Sequence, residues 1–187
     1  MELEAPQPHK LATIYEGWDG YQTSLVRAAA LLTSEHLAWR PAPGRRSIGE
    51  IFRHISLGRI TWLDRMKAPG IDLVAERVPQ WRYDNDGTRC VAEESVASDD
   101  PAVLDEWLQG SWQPIQRLLE EWTVDDLFET YLLDGYLISR QWTIWRLLSH
   151  DTHHGGQLAA LLAVKDIDAS DLREQGGHII MPPRKPN

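Results

Sequence analysis

Apolar residues recur along this chain at steps of three, four and seven in four separate stretches, the mark of helices with one buried face. In the first, Leu11, Ile14, Tyr15, Trp18, Tyr21, Leu25 and Leu32 form one stripe and predict a helix over about residues 9 to 33. "WRPAPGRR", with two prolines and a glycine, then breaks the pattern. A second helix is expected from "SIGE", where Ser47 can cap the free N–H groups and Glu50 can reach back, forming a capping box. Its buried face comprises Ile48, Ile51, Phe52, Ile55, Trp62 and Met66, and Pro69 and Gly70 should end it.

The third helix has Asp100 as cap and Pro101 in its first turn, and continues through Leu104, Trp107, Leu108, Ile115, Leu118 and Leu119. Pro114 falls inside that pattern and should kink or interrupt it, because an interior proline costs about 3 kcal/mol. "LFETYLLDGYLIS" is rich in strand-favouring residues around Asp134 and Gly135 and predicts a small β-hairpin. The fourth helix covers roughly 141 to 164. Between the second and third helices, about residues 71 to 98, periodicity is weak; such a segment holds a short helix or strand, or covers a site. The expectation is one all-α domain over 1–187: a four-helix bundle with a core at roughly 10–165, a hairpin before the last helix and an irregular C-terminal tail.

Composition narrows the function. The formal charge of -9 opposes binding to a phosphate backbone, and the two arginines of "GRRS" do little to offset it, so no nucleic-acid partner is expected. No apolar run approaches the roughly 18 residues of a membrane span. Cys90 is the only cysteine and the N-terminus lacks a signal-peptide layout, so a cytoplasmic location is expected. The chain has 9 tryptophans against 2 phenylalanines, so indoles carry much of the packing.

The chemistry concentrates in "LLSHDTHHGGQLAALL", Leu147 to Leu162. Positions four apart lie about 40° apart around a helix, so His150 and His154 point the same way, beside the stripe of Ile144, Leu147, Leu158, Leu161 and Leu162. His153 is turned about 100° from His154 and should face solvent. His54 lies at the edge of the second helix's stripe, with Gly58 leaving space one turn on. If those two helices are neighbours, three imidazoles meet, the donor set of an open, catalytic zinc site. Taken singly, each histidine is equally an ordinary hydrogen-bonded or half-buried residue.

Asp151, near the inward stripe, could accept a hydrogen bond from an imidazole, but no catalytic role follows. His9, His36 and His178 read as surface or loop residues, and Cys90 as neither ligand nor reactive thiol. Trp62, Trp81, Trp142 and Trp145 either line a pocket or pack the core. Gly155 and Gly156 cost about 1 kcal/mol each against alanine in a helix, which points to a close helix contact or a pocket wall.

"HLAWRPAPGRRSIGEIFRHISL", followed roughly ninety residues later by "LLSHDTHHGGQLAALL", resembles the DinB/YfiT-like superfamily. There, a Trp-Pro-Pro-Gly stretch precedes a serine-initiated helix bearing one histidine, and the last bundle helix carries His-x-x-x-His and a Gly-Gln pair. The resemblance spans roughly residues 10 to 165. It implies an up-down-down-up bundle, usually dimeric, with a divalent metal, typically zinc or nickel, on His54, His150 and His154. It also implies thiol-dependent S-transferase or isomerase chemistry with a low-molecular-weight thiol, and the open site equally suits hydrolysis. The alternative is a non-catalytic, stress-linked metal- or ligand-binding module. The arginine that often follows the second histidine is replaced by Gly155, which weakens any inference of an anionic substrate. Gln157 matches the family's glutamine: it could orient a ligand, bond a metal-bound water, or be a polar residue at the core edge.

Overall fold

A computed structural model describes residues 9–173. The first predicted helix is two: α1 (Leu11–Ile14) and α2 (Trp18–Ala30). Gly17, at φ 97°, takes the left-handed conformation between them, which side chains resist. The apolar stripe runs across the break because both pieces face one core, so periodicity alone could not reveal it. A short α3 (Ser34–Ala38) follows, started by a capping box between Thr33 and His36. His36 is thus a capping residue rather than a plain surface one.

The second helix, α4 (Ile48–Arg65), begins as expected, with Ser47 and Glu50 each bonding the other's backbone N–H. It ends before Pro69, with Lys67 and Gly70 at positive φ. The weakly periodic stretch holds α5 (Ile71–Ala75), an antiparallel pair β1 (Trp81–Tyr83) and β2 (Arg89–Val91), and a 3-10 turn at Glu93–Val96. The third helix, α6 (Pro101–Glu121), is capped by the Asp100 carboxylate and runs through Pro114 without interruption. Of the expected kink or interruption, the interruption does not occur. Proline at 114 removes the helical donor to the Gly110 carbonyl, but Ile115, Leu118 and Leu119 beyond it are buried, and this burial carries the helix on.

The predicted hairpin is β3 (Thr130–Leu133) paired with β4 (Tyr136–Ser139), with Asp134 and Gly135 both at positive φ in the two-residue turn. α7 (Arg140–Val164) starts from the Ser139 cap, and α8 (Ser170–Arg173) follows. His178 lies outside the described residues.

Residue contacts fix the helix directions. Arg53, early in α4, bonds the Ser98 carbonyl just before α6, while Gly70 beyond the end of α4 meets Arg117 late in α6, so these helices run parallel. Gly58 faces His150 and Trp62 meets Trp142, so α4 and α7 are antiparallel. Leu11 bonds Trp122 while Gln22 bonds Leu108, so the α1–α2 arm is antiparallel to α6. The order is up-down-down-up. Among the described residues no helix is long and apolar enough to cross a membrane.

Candidate metal centre

Antiparallel packing of α4 on α7 brings together the three histidines that the spacing singled out. The ring centroids lie 4.8 Å apart for His54 and His150, 4.7 Å for His54 and His154, and 4.5 Å for His150 and His154. One nitrogen from each ring lies within 4.8 Å of the other two, close enough to share one ion. His153 is exposed on the outer side of α7, as its angular position required. Gly58 matters for a reason other than space beside His54. A Cβ there would fall 2.8 Å from His150 Cε1, so the glycine is where the His150 ring fits against α4.

Two of the rings are held from behind. His54 Nδ1 lies 2.7 Å from Glu93 Oε1, and Arg46 donates to the same carboxylate at 2.8 Å. With the carboxylate as acceptor, His54 carries its proton on Nδ1 and keeps the Nε2 lone pair. The hydrogen bond from His54, then that from Arg46, hold the Glu93 carboxyl down at about 2 against burial. His154 Nδ1 lies 2.8 Å from Gln157 Oε1, which fixes the same tautomer, and the Gln157 amide nitrogen is 3.1 Å from His153 Nε2. Burial, then the neighbouring imidazoles, push His150 down to about 3 from its ordinary 6.5. Burial lowers His154 as well. Among the described residues His150 Nδ1 is buried without a hydrogen-bond partner, a polar atom that costs stability unless something satisfies it. Converging imidazoles, two of them held down by burial, with an orphaned nitrogen are a donor set that fits a divalent cation.

Behind the cluster is a buried polar network that sequence reasoning missed. Arg59 and Asp151 are both fully buried, with Arg59 Nη2 donating at 2.8 Å and Nε at 3.1 and 3.0 Å to the two carboxylate oxygens. Trp18 Nε1 donates to Asp151 Oδ2 at 3.1 Å, and Arg59 Nη1 donates to Gln22 Oε1 at 2.7 Å. Gln22 in turn donates to the Leu108 carbonyl. One arginine thus connects α2, α4, α6 and α7. Asp151 therefore serves a guanidinium and an indole, not an imidazole. The missed signal was Arg59 itself, four residues after Ile55 and four before Leu63 on an apolar face, a position that demands a buried acid.

The remaining candidates separate cleanly. Gly155 is the close contact that the glycine pair suggested: a Cβ there would overlap the Tyr21 hydroxyl of α2, which donates to the Asp151 carbonyl. Gly156 faces open space. Trp62 and Trp142 line a cavity, Trp81 is half-buried beneath the Arg89 guanidinium, and Trp145 is exposed. Cys90 sits on β2 opposite Arg82 and is not part of the histidine cluster.

Comparison with known proteins agrees with this fold. A DinB-like protein from Bacillus cereus superposes with a TM-score of 0.58 at 18% identity, covering 81% of this chain and 90% of that one. A DinB-like protein from Bacillus subtilis gives 0.54 at 12% identity, covering 80% and 89%. At such identities the likeness establishes the fold. No curated protein sequence matches the chain. The family model of the DinB superfamily matches residues 18–158, most of the bundle with all three histidines inside it, and the chain belongs to that superfamily.

Proposed function

We propose that His54, His150 and His154 hold a divalent ion, zinc or nickel, and that the protein is a metal-dependent enzyme of the thiol S-transferase or hydrolase type. The observation that carries this is the convergence of three imidazole nitrogens from two helices within 4.8 Å. An ion held there would supply a Lewis acid able to lower the pKa of a thiol or water bound beside it. The chain's own residues do the rest. Glu93 and Gln157 fix two rings in the tautomer that leaves Nε2 free, and burial keeps His150 neutral near physiological pH. The Arg59–Asp151 pair locks α4 to α7 at the spacing the rings need.

The S-transferase or hydrolase class, a low-molecular-weight thiol co-substrate and a cytoplasmic location come from the resemblance and the composition. A homodimer is supported by Leu132 and Leu137, cross-strand partners on the hairpin that are 72% and 71% exposed. One observation favours the alternative of a non-catalytic binding module. The carboxylate that touches the cluster, Glu93, is committed to His54 and Arg46 and is not a free general base.

Elemental analysis of protein purified without a nickel column tests the reading. About one metal per chain is expected, lost in His150→Ala and kept in His153→Ala. No metal, together with no rise in Tm on adding zinc or nickel, refutes it. Metal without turnover across a panel of thiols and electrophiles selects the binding module.

A further inference from the structure

Away from the histidines, α4, α7 and the two hairpins enclose a cavity of about 820 Å³, and none of the three imidazoles lines it. The size is that of a small-molecule site, roughly 300 to 1,000 Å³.

Its walls are tied down on each side. Arg89 of the first hairpin donates to Asp64 of α4 at 2.8 Å, and the Val91 N–H donates to Thr61 Oγ1 at 3.2 Å. Tyr131 of the second hairpin shares a hydrogen bond of 2.6 Å with Thr143 of α7. The two hairpin turns are joined to each other, because the Asp134 N–H donates to Asp86 Oδ2 at 2.8 Å. A ligand entering walls already fixed in this way loses little affinity to ordering them.

The lining is aromatic and acidic. Arg146, which is not part of it, covers two of the rings, 4.5 Å from the Trp62 centroid and 5.5 Å from that of Trp142. Tyr83 and Tyr136 are 66% and 68% exposed, and among the described residues their rings stack on no other ring or cation. Phenol faces left open attract both flat apolar groups and cations.

The charges favour one sign of ligand. Two carboxylates, Asp84 and Asp134, line the cavity with one guanidinium, Arg65. Arg65 is engaged: it donates to the Arg89 carbonyl at 3.1 Å, lies 3.5 Å from Asp84 Oδ2 and stacks over Trp62. The Asp134 side chain makes no hydrogen bond or ion pair among the described residues; only its backbone N–H is held. Both acids belong to the joined pair of turns, with Asp84 two residues before the Asp86 that holds Asp134. An anion would meet two carboxylates and no free arginine. An ammonium ion meets an unpaired carboxylate beside open phenol rings, and the formal charge of -9 adds to its attraction.

We propose that this cavity binds an aromatic primary amine, with its ring against Tyr83 and Tyr136 and its ammonium group on Asp134 and Asp84. The site is separate from the histidine centre and does not depend on the metal reading.

Calorimetric titration with tryptamine, uncharged tryptophol and anionic indole-3-acetate at neutral pH tests it. Tryptamine should bind at least about tenfold more tightly than tryptophol, the margin of a charge-assisted pair, and indole-3-acetate more weakly than either. Asp134→Asn keeps the turn, since asparagine suits the φ of 49° there. It should cost tryptamine about fivefold or more, and combining it with Asp84→Asn should erase the preference over tryptophol. Tyr136→Ser should weaken the amine and the alcohol alike, whereas EDTA treatment and His150→Ala should change nothing. No binding of tryptamine, equal binding of amine and alcohol, a preference that survives the double variant, or an unchanged affinity in Tyr136→Ser overturns the proposal. So does loss of binding in His150→Ala, which would put the amine on the histidines.

Discussion

Replacing Asp151 with leucine should be among the most damaging single changes in the bundle. The carboxylate accepts two N–H groups of Arg59 and the indole N–H of Trp18, and both members of the ion pair are fully buried. Its loss strands the guanidinium, whose remaining hydrogen-bond partner is Gln22. Breaking a buried pair from one side costs about 3–5 kcal/mol, and the orphaned indole adds about 1–3 kcal/mol. In a chain of this size each kcal/mol lowers Tm by about 2–4 °C, so a fall on the order of 10–20 °C is expected. Removing both charges as Arg59→Met with Asp151→Leu should recover most of the loss, because the desolvation cost disappears with the pair. Urea unfolding of the wild type, both single variants and the double variant, followed by circular dichroism, measures the cycle. The reasoning is refuted if Asp151→Leu costs less than about 1 kcal/mol, or if the double variant is as unstable as the sum of the singles.

Gly58→Ala should leave stability nearly unchanged, since alanine favours a helix by up to about 1 kcal/mol while the new methyl crowds His150. Zinc affinity should fall, and competition with a chelating dye reads the two effects apart. Glu93→Gln replaces the carboxylate behind His54 with a weaker acceptor, and a tenfold or greater loss of zinc affinity is expected from the same assay. Metal-free protein should lose stability in acid. His150 is held down to about 3 when folded, so the unfolded chain takes up that proton first, and the penalty is absent above about pH 6.5 and grows toward pH 3. Glu93, lowered from 4.5 to about 2, stabilises above pH 4.5, and that contribution is lost toward pH 2. Urea midpoints between pH 7 and 4 should therefore fall, and His150→Gln should flatten the part of the slope above pH 4.5.

What the sequence made legible was whatever rests on local chemistry. The Ser47 box, the Asp100 cap and the Asp134–Gly135 turn each need only residues a few positions apart, and each forms as read. The histidine pair on α7 is equally local, because helix periodicity alone decides which ring turns inward. His54 required knowing that α4 and α7 are neighbours, which came from resemblance. Glu93 carried no signal, since it comes from a stretch without periodicity and reaches its partner only through the tertiary fold. Gly17 was hidden for the opposite reason: the apolar pattern on both sides of the break satisfies one core, so a bent helix and a straight one look alike.

The parallel run of α4 and α6 has a consequence for how such a protein can change. Parallel helices cannot be joined by a tight turn, so the chain must travel back along the bundle between them. That return path is here a short helix, a β-hairpin and a 3-10 turn, and Glu93 stands on its last turn. The histidines themselves sit on long helices whose every turn is answered by a neighbour, so they are difficult to alter without disturbing the core. The connecting path obeys looser rules, and insertions there are tolerated far better. Descendants of such a chain can therefore retune the imidazole on α4, and reshape one wall of the adjoining cavity, without touching the helices that hold the three rings together.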